Sequence, residues 1–145
     1  MGQPVEFVHE AEPPRVLRAQ ALPYPELKRV WVRVELTPFA AHPELEMVIL
    51  GPDGSVEAEM FMVYVPFTYV SLTMHLRRPP QPSQPYCLML RLTRDDLLLD
   101  QRAAPFDLVF VERDAAKAAA DALTWPERGV AIAPLPSTPD MESSV

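Results

Sequence analysis

One cysteine, four glycines and no asparagine occur among 145 residues. Each scarcity removes a class of chemistry. A lone Cys87 cannot form an intrachain disulfide or a cysteine-rich zinc site. Without asparagine there is no acceptor for N-linked glycans. Four glycines cannot furnish a phosphate-cradling loop, and no Gly-x-Ser-x-Gly nucleophile turn is present. Positive charge is equally scarce. The formal net charge is −7 and no basic run exceeds Arg77-Arg78, so neither nucleic acid nor an anionic membrane is an expected partner. No apolar run approaches the roughly 20 residues of a membrane-spanning helix. The opening MGQPVEFVHEAEPP has no basic segment followed by an apolar one, and it lacks the Ser or Thr that N-myristoylation of Gly2 would want. A cytoplasmic protein is the resulting expectation.

What is plentiful is proline, with 18 residues, and arginine, which supplies eleven of the thirteen basic side chains. Many loop prolines and few thermolabile amides fit a heat-adapted source. Codon bias in a GC-rich bacterial genome fits the same counts, and composition does not separate the two. An apolar share of 48% suffices for one core, and the length suits one domain with short appendages.

The dominant pattern is a period of two. In RVWVRVELT (29–37), Val30, Val32, Val34 and Leu36 share one face, and Arg29, Trp31, Arg33 and Glu35 the other. Leu45, Met47 and Ile49 continue the inward set, GPDG (51–54) supplies a turn, and Val56, Ala58, Met60, Met62 and Tyr64 are expected inward on the return arm. Pro66 ends that arm. YVSLTMHL (69–76) points Val70, Leu72, Met74 and Leu76 inward, and a stiff proline-rich loop spans 77–85. YCLMLRLTRDDLLLDQ (86–101) reads as a hairpin with Tyr86, Leu88, Leu90 and Leu92 inward and a turn at Arg94-Asp95-Asp96. Pro105 is expected to interrupt the return arm before FDLVFVE, where Phe106, Leu108 and Phe110 point in. PVEFVHE and RVLRAQA form two short edge segments upstream. Seven or eight short strands at these spacings predict an all-β, two-layer antiparallel β-sandwich. A helix is expected only at DAAKAAADAL (114–123), with Asp114 as its cap. The predicted organisation is an extended segment (1–14), the sandwich (15–111), a short C-terminal helix (112–125) and a Pro/Ser-rich tail (126–145), disordered by composition.

The order strand, LTPF, strand, GPDG, strand, LTMHLR, proline-rich loop, PYCLMLRL, hairpin, PFDLVF resembles an immunoglobulin-like or fibronectin type III-like sandwich over about residues 15–111. It is also similar to small uncharacterised bacterial proteins with this strand pattern. The resemblance implies a role for Tyr86 as the tyrosine found near the corner before the penultimate strand of such domains. The cysteine pair of antibody domains is missing, and a fold of this kind does not dictate a function.

Candidate reactive groups are few. His9, Glu10 and Glu12 sit together, but on an extended segment they splay to opposite faces, so a solvated edge is the expectation. His75 reads as a surface residue, and His42, before Pro43, has no visible partner. Asp95, Asp96, Asp100 and Asp107 crowd one hairpin without the glycine or ligand series of a calcium loop. Cys87 has no His or Lys placed to activate it and reads as an inert thiol. No catalytic residue, metal site or cofactor is expected.

One feature asks for a partner. Trp31, Val48, Leu50, Phe61, Val63, Val65, Met89, Val109 and Val111 all fall on the outward phase, where a solvated sheet face should be polar. The N-terminal segment or the alanine-rich helix could cover them, another chain could, or a bulge could shift the phase. The favoured expectation is a non-catalytic protein-interaction or assembly module, with Trp31, Phe61, Val63 and Val65 as the interaction surface and a protein partner or a second copy as occupant. The alternative is a small-molecule or carbohydrate-binding module in which Trp31, Tyr24 and Tyr69 supply stacking surfaces.

Overall fold

The computed structural model describes residues 12–112 and the backbone of Ala133–Pro134. The strands are β1 (Val16–Pro23), β2 (Arg29–Leu36), β3 (Glu44–Leu50), β4 (Val56–Met62), β5 (Tyr69–His75), β6 (Pro85–Arg94), β7 (Leu97–Asp107) and the two-residue β8 (Ala133–Pro134). All pairings are antiparallel. One sheet has the order β1-β2-β5 and the other β4-β3-β6-β7-β8. The predicted N-terminal strand in PVEFVHE and the helix at 114–123 lie outside the described residues. Among the described residues no helix is long and apolar enough to cross a membrane.

Both sheets contribute to a single core. Val30, Val32 and Val34 of β2 meet Leu45, Met47 and Ile49 of β3 and Leu88, Leu90 and Leu92 of β6, all with no measurable exposure. These are the residues that the alternation assigns inward. Antiparallel register explains the agreement: Met47 lies opposite Leu90 and Ile49 opposite Leu88, so one in-phase strand sets the phase of its neighbour.

The turns follow their residues. Gly54 carries φ +86, and the β3–β4 turn is closed by Gly51 N–H to Ser55 O at 2.8 Å. Asp95 and Asp96 both have positive φ between the paired Arg94 and Leu97, the two-residue hairpin geometry in which short polar side chains tolerate a left-handed backbone. Tyr86 is buried at the start of β6, and its Oη accepts the N–H of Gln81 at 3.1 Å. This bond reaches back five residues and fixes the proline-rich loop against the strand.

Three expectations are corrected. Pro105 does not interrupt the hairpin: it sits inside β7, opposite Cys87. Among the described residues the far side of β7 is paired at Arg102 and Ala103, not at Pro105, so a residue without N–H is tolerated there. β7 ends at Asp107, and past it Leu108 is buried while Phe110 is exposed rather than inward. On β4, Ala58 is buried as expected, but Val56, Met60 and Tyr64 are exposed. A bulge pairs Ile49 with Ala58 and Leu50 with Val56, which skips Glu57; Met60 lies at the rim of an edge strand; and Tyr64 lies past the strand's end.

Substituting Leu90→Ala should cost about 2–5 kcal/mol, the usual loss on truncating a fully packed leucine. Tyr86→Phe should cost about 1 kcal/mol, the net worth of one hydrogen bond. Urea unfolding of both variants checks the ranking; equal losses would show that the loop tie has a larger role than one bond.

Candidate functional site

The residues singled out as an interaction surface do not come together as one set. Trp31 lies half-buried on the outer face of the three-stranded sheet. Phe61 lies on β4 of the other sheet and Val63 just beyond it, 55% and 67% exposed. Val65 is fully buried, so its place on an outward surface is corrected: β4 ends at Met62, and the connection that follows turns Val65 inward, its N–H donating to Pro43 O at 3.0 Å.

The exposed apolar set at this rim is larger than alternation suggested. Tyr64 is 59% exposed and Phe67 71% exposed, in the connection from β4 to β5. Tyr64 stacks on the His42 ring with centroids 4.2 Å apart, and Phe39 meets that ring edge-on. His42 Nδ1 lies 2.8 Å from Val65 O, and a carbonyl can only accept, so Nδ1 carries the proton. His42 therefore has partners, contrary to expectation, and its place is to hold the connection in shape. Alternation could not have found Tyr64 and Phe67 as exposed, because the chain there is no longer a strand.

A second candidate surface covers the outer face of the three-stranded sheet. Arg33 is 1% exposed although it is on the outward phase. Its guanidinium lies over the Trp31 ring at 5.0 Å and over the Tyr69 ring at 5.9 Å, its Nε donates to Tyr69 Oη at 3.0 Å, and one Nη donates to Gln20 at 3.0 Å. Arg29 lies over Tyr24 at 4.2 Å and is paired with Glu26. Trp31 Nε1–H donates to Ser71 at 2.9 Å, and the Tyr24 and Thr73 hydroxyls are 2.8 Å apart. Register makes this possible: Trp31 faces Thr73 and Arg33 faces Ser71 across the β2–β5 ladder. Tyr24 and Trp31 also line an open cleft of about 650 Å³, whose other walls include Pro23, Pro25, Asp107 and Phe110.

The remaining polar clusters have structural partners. Glu57 is 2% exposed, and its carboxylate is held by the Arg78 side chain and by Arg78 N–H at 3.1 Å. Arg78 also reaches Asp53 at 3.1 Å. Gly51 makes room, since a Cβ there would stand 3.1 Å from Glu57 Oε2. This clamp ties the β3–β4 turn to the loop after β5 and so joins the two sheets. Asp100, suspected from its acidic company, accepts Val16 N–H at 2.8 Å and pairs with Arg102 at 3.0 Å, which fastens β1 to β7. Cys87 is half-buried, and desolvation pushes its thiol pKa up, away from the reactive thiolate. Among the described residues no group of three or more His, Cys, Asp or Glu side chains could hold a metal ion. Residues His9 and Glu10 lie outside the described residues.

With this geometry in hand, comparison with known proteins adds a fold and no family. No protein-family model matches the chain, and no curated protein matches it. Solved structures do. A glycosyl hydrolase family 2 member from Bacteroides cellulosilyticus DSM 14838 superposes with a TM-score of 0.55 at 17% identity, over 66% of this chain and 15% of that one. Another family 2 member from Bacteroides cellulosilyticus gives 0.53 at 16%, over 66% and 14%. A β-glucuronidase from glycoside hydrolase family 2 gives 0.52 at 16%, over 66% and 12%. Identity this low carries the fold alone, and the chain spans a small fraction of the length of these enzymes.

Arg78 and the Ser55 N–H and hydroxyl hold the Asp53 carboxyl well below the usual carboxylate range. A depressed folded-state pKa stabilises fully above the ordinary value of about 3.9 and is lost as pH falls through the folded value. The stability gap between the parent chain and Asp53→Asn should therefore be widest near neutral pH and narrow below about pH 4. Urea midpoints at a series of pH values read this directly, and a gap independent of pH would show that the charge on Asp53 contributes nothing.

Proposed function

We propose that the chain is a non-catalytic protein-interaction or assembly module built on an immunoglobulin-like, fibronectin type III-like sandwich and working in the cytoplasm. The order β1-β2-β5 over β4-β3-β6-β7, extended by the two-residue β8, with β4 beside β3 rather than beside β5, and the buried tyrosine at the start of β6 support the finer fold assignment. The observation that carries the functional reading is the apolar rim: Phe61, Val63, Tyr64 and Phe67, each more than half exposed, follow one another at an edge strand. Scattered apolar residues on a surface need no explanation, but a run of this size and aromatic content is the composition of an interface core. The absence of catalysis is part of the proposal; the buried or paired states of Glu57, Asp53, Asp100 and Cys87 support it.

A second reading has an observation of its own. Trp31, Tyr24 and Tyr69 are grouped on one sheet face beside Ser71, Thr73 and Gln20, with a cleft at one end, an arrangement on which a sugar ring could stack. The structural neighbours are glycoside hydrolases, so this reading takes a carbohydrate as ligand without taking hydrolysis.

A photo-crosslinking residue in place of Phe67, introduced in the source cell, should yield an adduct of defined mass, whereas the same residue at Leu17, exposed on β1 of the other sheet, should not. No adduct at Phe67, or equal adducts at both positions, would remove the first reading. For the second, Trp31 emission should change saturably with at least one member of an oligosaccharide panel, and Trp31→Phe should abolish the change. A flat response across the panel rejects it.

A further inference from the structure

We infer that the occupant of the apolar rim is a second copy of this chain, met antiparallel along β4 with the Phe61–Phe67 connections packed across a twofold axis. This rests on the interaction reading above and names its partner. Three observations carry it.

The first is area. A whole aromatic side chain contributes about 150–250 Å². With the fractional exposures of Met60, Phe61, Val63, Tyr64 and Phe67, the rim offers roughly 550 Å² of apolar surface per copy, or about 1,100 Å² for a pair. A specific interface needs about 1,000 Å² in total, so the patch, if wholly covered, is of the size that meeting its own copy requires.

The second is the strand edge. β4 terminates its sheet, and past Glu57, whose carbonyl accepts Arg77 N–H at 2.8 Å, no described strand pairs with its outer side. Residues 58–62 contain neither proline nor lysine, two common guards of such an edge. Antiparallel pairing is self-complementary under a twofold, so one edge and its copy satisfy each other's backbone groups.

The third is charge. A chain of net charge −7 repels its copy in general. On β4, however, each acidic residue has an arginine beside it within the chain: Glu57 has Arg78, which it shares with Asp53, and Glu59 has Arg77 at 3.2 Å. Apposing two β4 strands therefore brings paired rather than bare carboxylates together. No charged residue occurs from 60 to 74, and Glu46, across from Phe61 on β3, is paired with Arg91 at 3.6 Å.

Sedimentation velocity of the purified chain across a concentration series tests the inference. A monomer–dimer equilibrium is expected, shifted at least tenfold toward monomer by Phe61→Asp and by Val63→Asp, both on exposed positions where the fold should persist by circular dichroism. Val111→Asp, equally exposed but away from the rim, should leave the equilibrium unchanged. A chain that is monomeric at every concentration overturns the second copy, as does a dimer insensitive to both rim substitutions. The crosslink at Phe67 separates the two proposals: an adduct of another mass with a monomeric chain leaves the interaction reading standing and removes the self-partner, whereas no adduct removes both.

Discussion

Dehydration of one seam between two sheets is the constraint on which the structure depends. Three valines of β2, three apolar residues of β3 and three leucines of β6 lose all contact with water together. At about 25 cal/mol per Å² of apolar surface this is the largest stabilising contribution in the molecule, and it is non-directional. Direction comes from pairing. Because β3 lies between β4 and β6, a one-residue slip of either neighbour would carry its leucines or methionines out of the seam. The seam and the register therefore enforce each other. The polar devices work on top of this arrangement: the Glu57–Arg78–Asp53 clamp, the Asp100 tie and the Tyr86 hydroxyl each fix where a loop or an end sits once the sheets have met.

This division explains what was legible in the amino-acid sequence. Strands β2, β3, β5 and β6 are half-buried and flanked by turn residues, so period-two alternation locates them and their inward faces. The two hairpin turns were legible for a local reason, since Gly54 and the Asp95-Asp96 pair tolerate positive φ. On β4, Val56 was misread because a bulge at Glu57 breaks the phase at the strand's start, where Glu57 is held by a long-range partner, Arg78, twenty-one residues away. Pro105 was misread because a proline's tolerance in a strand is decided by what lies on the far side, and that is a property of the sheet, not of the segment.

The candidate surfaces were less legible than the core, for a related reason. Alternation says which phase a side chain occupies, not which sheet it belongs to. Trp31 and Phe61 share a phase and lie on different sheets, while Val65 leaves the phase altogether and is buried. The arginine–aromatic face was half visible: Trp31, Arg33 and Tyr69 were on the outward phase, but the closeness of Arg33 to both rings follows from the β2–β5 register. An outward arginine that is 1% exposed marks a face as more organised than a solvated one.

The two rims of the sandwich then differ in a way that bears on function. Along one rim, β1 is fastened to β7 by Asp100, which spends its carboxylate on a backbone N–H and on Arg102. Polar groups placed there would gain nothing by meeting another surface, because leaving their present partners would cost what a new contact returns. Along the opposite rim, β4 and β5 each end their sheet, their charges are satisfied locally, and what faces outward is aromatic and aliphatic. Among the described residues no strand pairs with this edge, and removing water from apolar side chains is favourable. The Phe39–His42–Tyr64 cluster of this rim is tied to the buried Val65 carbonyl, so Tyr64 is held in place before any partner arrives. Order that is already present lowers the entropic cost of association. A rim held in shape, with its charges paired within the chain, is a surface suited to binding, whereas the opposite rim is suited to holding the domain shut.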